Sequence, residues 1–286
     1  MKKRRIITIL AFLLIALGLL AVTSCNNFGT SANRQRGLTE LHFIDVGQGD
    51  SIFIRLPNGR TMLVDAGTKN AEQTVTRYIK SKKVSRIDIL IATHPHEDHI
   101  GAMTGVINEF EIGSIYMPKV SANTKTFESP LGAIKSKGLS VNSAKGGMVL
   151  SDSGDFKTEF LAPNGNSYNE LNDYSAVLKI THGSTSFLLT GDAEKTSEDE
   201  MIRGGYNLSA DVLKVGHHGS HTSSSPEFLS AVSPQIAVIS CGRDNSYGHP
   251  AENTLLALAD IKAEVYRTDE KGTIVITSDG KNIKVR

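Results

Sequence analysis

Three histidines and two carboxylates lie within six consecutive residues of this chain, in the segment His94-Pro95-His96-Glu97-Asp98-His99. Imidazole and carboxylate groups together are the ligands that proteins offer to zinc and related divalent cations. A purely structural zinc site would favour a closed shell rich in cysteine, and the chain has only Cys25 and Cys241. The segment therefore predicts a metal centre that carries out chemistry.

Other candidate side chains stand where predicted strands end and loops begin. The apolar run at residues 87–92 is typical of a strand buried on both faces, and it ends directly at the histidine segment. Folds of the α/β class place their chemistry at such strand ends. The same position is held by Asp65, Asp192, His217 and His218.

The elements that must position these side chains alternate short apolar runs with helical periodicity. Strands are predicted at residues 41–46, 51–56, 61–64, 87–92, 112–117, 156–161, 175–180, 186–189, 211–215, 235–240, 264–267, 272–277 and 282–285. Helices are predicted at residues 72–80, 100–110, 129–137, 194–202, 226–232 and 252–260. Both halves pass from strands to strand–helix units. We therefore predict an α/β fold at residues 39–286, an αββα sandwich of two mixed β-sheets with outer helices.

The histidine segment and several other segments resemble those of a known family. Thr93-His94-Pro95-His96-Glu97-Asp98-His99-Ile100-Gly101 matches the His-x-His-x-Asp-His motif of the metallo-β-lactamase superfamily. Further similar segments follow in family order at residues 63–67, 188–192 and 215–220. Residues 43–51 and Tyr247-Gly248-His249-Pro250 resemble, more narrowly, the hydrolase domain of the competence protein ComEC. The resemblance implies a hydrolase of the metallo-β-lactamase fold.

The resemblance also implies a dinuclear metal site. Its implied ligands are His94, His96, Asp98, His99, Asp192 and His217. The first two would bind the first metal, the next two the second, and Asp192 would bridge both. His217 would complete the second site, with an exchange of roles between it and the adjacent His218 left open. Asp65 would orient a ligand histidine by a hydrogen bond.

One position departs from the family pattern. Most members have a further histidine before the strand predicted to begin near Ser175, and this chain has Asn172-Asp173 there. The first metal would lack a ligand unless Asp173 or water replaces the histidine. Two divalent ions are expected, Zn²⁺ in the first place and Mn²⁺ as the alternative. His182 is a poor substitute because it falls in a predicted hairpin turn, where we expect it to be solvated.

Proton transfer and substrate contact are assigned to a few further residues. Asp98 is expected to accept a proton, and His218 or His249 to protonate the leaving oxygen or hydrogen-bond the phosphate. Ser220 opens a hydroxyl-rich loop that suits a phosphate, or that merely caps the next helix. Asp50, in Gly47-Gln48-Gly49-Asp50, would support a metal ligand or cap a turn.

The N-terminus predicts export. Four basic residues precede an apolar run at residues 6–22, which ends at Val22-Thr23-Ser24-Cys25. This boundary resembles a bacterial lipobox, which implies a signal peptide at residues 1–24 and lipidation of Cys25. Residues 25–38 would then form a flexible tether, and the protein would be an extracytoplasmic lipoprotein on the outer face of the cytoplasmic membrane. An uncleaved membrane anchor is the alternative.

Composition and resemblance together restrict the function. The chain has 31 basic and 30 acidic residues, so it lacks the strongly basic character of many nucleic-acid binders. The resemblance favours a phosphodiesterase or nuclease acting on DNA. An esterase acting on a wall phosphodiester such as phosphorylcholine, a β-lactamase, and a non-catalytic DNA-uptake or envelope binding module remain as alternatives. No protein partner is indicated.

Overall fold

The computed structural model describes residues 37–286, and the predictions made for residues 1–36 lie outside that part of the chain. These are the signal peptide at residues 1–24, the lipidation of Cys25 and nearly all of the tether at residues 25–38. Within the described part, no helix is both long enough and apolar enough to cross a membrane.

The described residues form strands and helices that alternate along the chain. The strands are β1 (Thr39–Phe43), β2 (Ile52–Arg55), β3 (Thr61–Val64), β4 (Arg86–Ile91), β5 (Glu111–Pro118), β6 (Val141–Ala144), β7 (Val149–Asp152), β8 (Phe156–Ala162), β9 (Val177–His182), β10 (Thr185–Leu189), β11 (Val212–Lys214), β12 (Ile236–Ile239), β13 (Glu264–Arg267), β14 (Ile274–Ser278) and β15 (Ile283–Val285). The α-helices are α1 (Glu72–Ser81), α2 (Glu97–Ile100), α3 (Met103–Glu109), α4 (Lys125–Ser136), α5 (Lys195–Arg203), α6 (Pro226–Val232), α7 (Glu252–Asp260) and α8 (Thr268–Lys271).

The strands form two mixed sheets. The larger has the order β15-β14-β1-β2-β3-β4-β5-β6, with antiparallel pairing from β15 to β3 and parallel pairing from β3 to β6. The other has the order β13-β12-β11-β10-β9-β8-β7, parallel from β13 to β10 and antiparallel beyond. Each sheet therefore has a parallel part in which the carboxyl ends of successive strands meet at one edge.

Alternation of side chains along the strands builds three apolar layers. In β3, Met62 and Val64 belong to the cluster between the sheets, while Leu63 packs with helices α1, α3 and α4. In β10, Phe187 and Leu189 belong to the same central cluster, while Leu188 packs with helices α5, α6 and α7. Strands buried on both faces, between helices and a second sheet, produce the four layers of an αββα sandwich.

The structure confirms the predicted fold and corrects several elements. Helix α4 begins at Lys125, earlier than predicted from Ser129-Pro130, because the hydroxyl of Thr124 accepts a hydrogen bond from the Phe127 backbone N–H and caps the helix. The helix predicted at residues 100–110 is divided into α2 and α3. Strands β6 and β7 were not predicted because they are exposed edge strands without an apolar alternation.

His182 is also placed differently from the prediction. It ends β9 and is 2% exposed, so it is not solvated. Its Nδ1 lies 2.9 Å from the Thr39 hydroxyl in the other sheet. The hairpin turn was predicted correctly, but β1 of the larger sheet packs against His182, and a sequence pattern does not show such packing.

Candidate metal centre

The candidate site lies where the two sheets bring their strand ends together. In the larger sheet, Asp65 directly follows β3 and His94 follows β4, which runs parallel to it. Asp50 precedes β2, which is antiparallel to β3, so it lies at the same edge. In the other sheet, Asp192 follows β10, and the two adjacent histidines follow the parallel strand β11. Side chains that are distant in the sequence are thereby collected into one region.

The histidine segment is locked in place by the loops beside it. His94 and His96 precede the short helix α2, and Asp98 and His99 lie within it. The Asp98 carbonyl accepts a hydrogen bond from the Asp50 backbone N–H at 3.1 Å, and the His99 carbonyl accepts one from Ala66 at 2.7 Å. Both neighbouring loops of the sheet therefore hold the helix.

Gly49 is needed for this close approach. Its φ is +132°, and a Cβ there would lie 2.3 Å from the Asp98 carbonyl oxygen. A side chain at this position would push the loop away from α2. The segment Gly47-Gln48-Gly49-Asp50 thus packs against α2 and places Asp50 beside that helix. The close approach that Gly49 permits is an approach to protein backbone.

Four side chains converge at the centre of the site. Ligand atoms of Asp98, His99, Asp192 and His218 all lie within 4.8 Å of one another. Asp192 Oδ2 lies 3.1 Å from His99 Nε2 and 3.4 Å from His218 Nε2. Asp98 Oδ2 lies 3.1 Å from His218 Nε2. The group combines two imidazoles and two carboxylates, a donor set suited to a divalent metal.

The other two histidines of the segment stand beside this group. His94 Nε2 lies 3.8 Å from Asp192 Oδ2 and 3.0 Å from His96 Nδ1. The ring centroids of His94 and His99 are 4.1 Å apart. The Asp192 carboxylate therefore lies near His94 as well as near Asp98 and His99.

His217 and His218 point to different partners. His218 is buried, and its Nδ1 donates to the Ser240 carbonyl at 2.9 Å, so its Nε2 faces the carboxylates. His217 Nδ1 lies 3.1 Å from Glu194 Oε1, and its Nε2 is 3.9 Å from Asp192 Oδ2. Of the two alternatives left open by the sequence, the geometry favours His218 as the partner of Asp98 and His99.

Backbone strain accompanies this arrangement. Asp65, His217 and His218 have φ values of 57°, 48° and 54°, in the left-handed region that non-glycine residues seldom adopt. Such strain persists where the surrounding structure enforces it, and it concentrates at functional sites. The consecutive left-handed residues turn the two adjacent rings toward different neighbours.

Asp65 orients His99. Asp65 Oδ2 lies 2.8 Å from His99 Nδ1, and the Thr93 backbone N–H and hydroxyl donate to the same carboxylate at 2.8 and 2.6 Å. A carboxylate on Nδ1 holds the proton there and directs the Nε2 lone pair toward the site. This is the geometry that the resemblance implied for Asp65.

A buried lysine contacts the same carboxylates. Lys214 is 0% exposed, forms an ion pair with Asp50 and donates to the Gly191 carbonyl at 3.1 Å. Its Nζ lies 3.9 Å from Asp192 Oδ1. Asp50 Oδ1 in turn lies 3.6 Å from His218 Nδ1. The ammonium therefore offsets carboxylate charge just behind the metal ligands.

Two predicted residues have mainly local roles. The Asp173 carboxylate accepts hydrogen bonds from the Glu194 and Ser197 backbone N–H groups and so holds the start of α5. Ser220 is buried, and its hydroxyl contacts Thr222 at 3.0 Å within its own loop. Neither residue has a described contact with the central group, and the replacement of the missing histidine by Asp173 or water stays a prediction.

His249 lies at the side of a cavity that opens over the site. The cavity has a volume of about 460 Å³ and is lined by Gln48, Thr68, His96, Glu97, Asp98, Asp192, His217, His218, Tyr247 and His249. The His249 ring centroid is 5.5 Å from that of His217 and 6.4 Å from that of His218. A substrate in this cavity would contact the metal ligands and His249 together.

The charges of the site shift the pKa values of its histidines in opposite directions. Burial, and then the charge of His99, lowers the pKa of His94 well below its usual value. Burial alone would lower the pKa of His218, but the Asp192 and Asp98 carboxylates raise it to about 9. Burial, with the charges of His217 and His218, lowers the pKa of His249 to about 4. His249 is therefore neutral at pH 7.

The donor atoms fit a divalent metal. In the described part of the chain, His99 Nε2 and Asp192 Oδ1 are buried and have no hydrogen bond of suitable geometry. Buried polar atoms are normally satisfied, so such atoms require an explanation. Metal ligation supplies one, because a metal takes the lone pairs of imidazole Nε2 and carboxylate oxygen.

Several residues that contact the candidate ligands were not predicted from the sequence. Lys214, Thr93, Ser175 and Glu194 contact the candidate ligands, and none of them was predicted as a site residue. A lysine inside an otherwise apolar buried strand was a usable signal, because an unpaired ammonium is too costly to bury. The others are hydroxyls and an ordinary glutamate, for which the sequence offers no comparable signal.

Comparison with known proteins agrees with this geometry. The family described as the metallo-beta-lactamase superfamily matches residues 44–243. ComE operon protein 3 of Bacillus subtilis is 34% identical over 252 residues, which cover 82% of this chain and 32% of that protein. Competence protein ComA of Neisseria gonorrhoeae is 34% identical over 232 residues, covering 80% and 31%. The chain thus spans about a third of the length of these relatives.

Solved structures share the fold at low identity. The diiron β-hydroxylase CmlA of Streptomyces venezuelae has a TM-score of 0.54 at 19% identity, covering 80% of this chain and 52% of that chain. A putative metal-dependent hydrolase of Parabacteroides distasonis has a TM-score of 0.50 at 16% identity, covering 81% and 94%.

Removal of metal is expected to destabilise the protein. Metal bound only by the native state adds about 4 kcal/mol at a thousandfold excess over its dissociation constant, which raises the melting temperature by on the order of 10 °C. Calorimetry with and without EDTA, with elemental analysis, measures both effects. Asp192→Asn should lose metal, whereas His221→Ala, at an exposed histidine, should keep it. Equal melting temperatures with and without EDTA would contradict the site.

The buried ion pair gives a second prediction. Lys214→Met leaves the Asp50 carboxylate buried without its cation, which costs about 3–5 kcal/mol. The double variant Asp50→Asn/Lys214→Met removes both charges and should recover much of that loss. Urea unfolding of the wild type, Asp50→Asn, Lys214→Met and the double variant measures the coupling. Additive losses in the double variant would show that the two groups do not interact.

Proposed function

The chain belongs to the metallo-beta-lactamase superfamily and is related to the competence proteins ComE operon protein 3 and ComA, and from that premise we propose that it is a metal-dependent phosphodiesterase acting on DNA. The observation that carries this proposal is the position of Asp192, whose carboxylate faces both His94 and the group of Asp98, His99 and His218. Two adjacent ligand groups that share one carboxylate suit a pair of cations.

The proposed ligands divide between two sites. His94, His96 and Asp192 hold the first metal, and Asp98, His99, His218 and Asp192 hold the second. Divalent cations bound by such a set act as Lewis acids toward a phosphoryl oxygen and lower the pKa of water. Zn²⁺ suits the imidazole-rich set, and Mn²⁺ is the alternative.

His217 is the proposed third histidine of the first metal, beside His94 and His96. Asn172-Asp173 stands where most family members have a further histidine, and Asn172 Nδ2 lies 3.5 Å from His217 Nδ1. The contact with Glu194 directs His217 Nε2 toward Asp192. His217 thus approaches the shared carboxylate from the side on which the missing histidine would stand.

The remaining residues orient groups and handle protons. Asp65 and the Ser240 carbonyl accept from the Nδ1–H groups of His99 and His218, which leaves each Nε2 free to bind metal. Asp98 lines the cavity and is proposed to accept a proton during hydrolysis. His249 is neutral and is proposed to hydrogen-bond the phosphate or the leaving oxygen.

The proposed location is the outer face of the cytoplasmic membrane. Its support is the basic and apolar N-terminus followed by Cys25, which resembles a lipoprotein signal. A phosphodiesterase anchored there would meet extracellular nucleic acid or wall polymers. Phosphorylcholine esters of the wall are the second candidate substrate, because the cavity lining includes no lysine or arginine among the described residues.

Nuclease activity is tested directly. The metal-loaded protein should cleave labelled single-stranded DNA with Zn²⁺ or Mn²⁺, and His96→Ala should lower kcat/KM by about 100-fold or more, since a metal contributes several kcal/mol. Leu256→Ala, at an exposed residue outside the cavity lining, is the control and should cleave normally. Hydrolysis of phosphorylcholine esters with intact DNA would favour the second candidate. DNA retardation without cleavage, persisting after chelation, would indicate a binding module.

The ligand assignment is tested by metal stoichiometry. His217→Ala and His218→Ala should each lose about one equivalent of metal relative to the wild type. The double variant His94→Ala/His217→Ala should lose no more metal than His217→Ala alone, because both residues serve the first metal. The double variant His94→Ala/His218→Ala should lose both equivalents of metal. Elemental analysis after gel filtration provides the readout. Full occupancy in His217→Ala would exclude this histidine as a ligand.

A further inference from the structure

Tyr247 is an exposed aromatic ring at the metal-site cavity. It is 69% exposed, and the large apolar residues exposed in the described part of the chain are Leu38, Val141, Val149, Tyr247 and Leu256. Tyr247 is the one aromatic residue in that group, and it also lines the cavity. An aromatic ring left in solvent beside a reactive site offers a surface for a substrate.

The ring is held in place by its own loop. The Asn245 side-chain oxygen accepts from the backbone N–H groups of Tyr247 and His249 at 3.2 and 3.0 Å. The same amide donates to the carbonyls of Gly242 and His249 at 2.9 and 2.5 Å. Tyr247 then stacks on His249, with ring centroids 5.7 Å apart and planes 22° apart. A loop held in this way, with the ring stacked on a neighbour, loses little entropy on binding a ligand.

Charge in the cavity limits how a substrate can be held. The described lining residues include Glu97, Asp98 and Asp192 but no lysine or arginine. A phosphodiester therefore depends on the metals for its charge and on another contact for its organic part. Stacking on an aromatic ring supplies such a contact for any nucleobase, whatever its identity.

The same ring suits a quaternary ammonium less well. Choline is recognised by cages of several aromatic rings that surround the cation. Tyr247 is the one tyrosine, tryptophan or phenylalanine in the described cavity lining, and its described ring partner is His249. A single platform fits a flat base better than a spherical cation.

We propose that Tyr247 determines specificity by stacking on the nucleobase next to the scissile phosphodiester, so that the substrate class is unpaired nucleic acid. A base in a duplex is already stacked between its neighbours, and its face becomes available only when the nucleotide is unpaired. This inference rests on the proposed phosphodiesterase function and names its substrate class.

The test compares one single-stranded DNA with the same strand carrying a single abasic residue. Cleavage is mapped on denaturing gels at the linkages that flank this residue, in the wild type, Tyr247→Ala and Tyr247→Phe. The wild type should cleave these linkages about 5- to 150-fold faster when the base is present. Tyr247→Ala should reduce this ratio to about one, and Tyr247→Phe should retain it.

Leu256→Ala, which removes another exposed apolar side chain, is the matched control and should retain the wild-type ratio. A wild-type ratio near one, or an unchanged ratio in Tyr247→Ala, overturns the role of Tyr247 while cleavage itself still supports the nuclease. Absence of cleavage of either strand overturns the phosphodiesterase proposal and the inference together. Faster hydrolysis of a phosphorylcholine ester that depends selectively on Tyr247 would assign the ring to a cation and also overturn the inference.

Discussion

The candidate site is built around a cluster of buried carboxylates, and the surrounding structure must compensate their charge. Asp50, Asp65 and Asp192 are each at most 2% exposed and lie beside one another at the strand ends. Buried carboxylates are costly unless cations or hydrogen-bond donors compensate them. Lys214 offers one cation, the imidazoles offer donors, and the divalent metals proposed for the site would supply the rest. The fold is therefore coupled to the charge of its site.

The two-sheet architecture explains how such a site can be assembled. Each sheet has a parallel part, so loops from several strands open at one edge. The larger sheet contributes the histidine segment and Asp65, and the other contributes Asp192 and the paired histidines. Neither sheet carries both halves of the ligand set. Packing of the apolar faces between the sheets is thus a condition for the metal centre.

Local signals predicted much of this, and non-local packing accounts for the errors. Helices α1, α6 and α7 and the central strands were predicted within about two residues, because their apolar periodicity is a local property. The edge strands β6 and β7 were not predicted, because they are strands through pairing with a neighbour and have no apolar pattern. His182 was misplaced because a residue of the other sheet covers it.

The sequence by itself determined the kinds of ligand and their positions at strand ends, because motif spacing and strand periodicity are properties of short segments. Only the tertiary structure decided which of His217 and His218 faces Asp98, since both residues have left-handed backbone conformations that turn their rings apart. It also decided the partner of Lys214 and the task of Asp173. These outcomes depend on which distant side chains meet, and that is set by the packing of whole sheets.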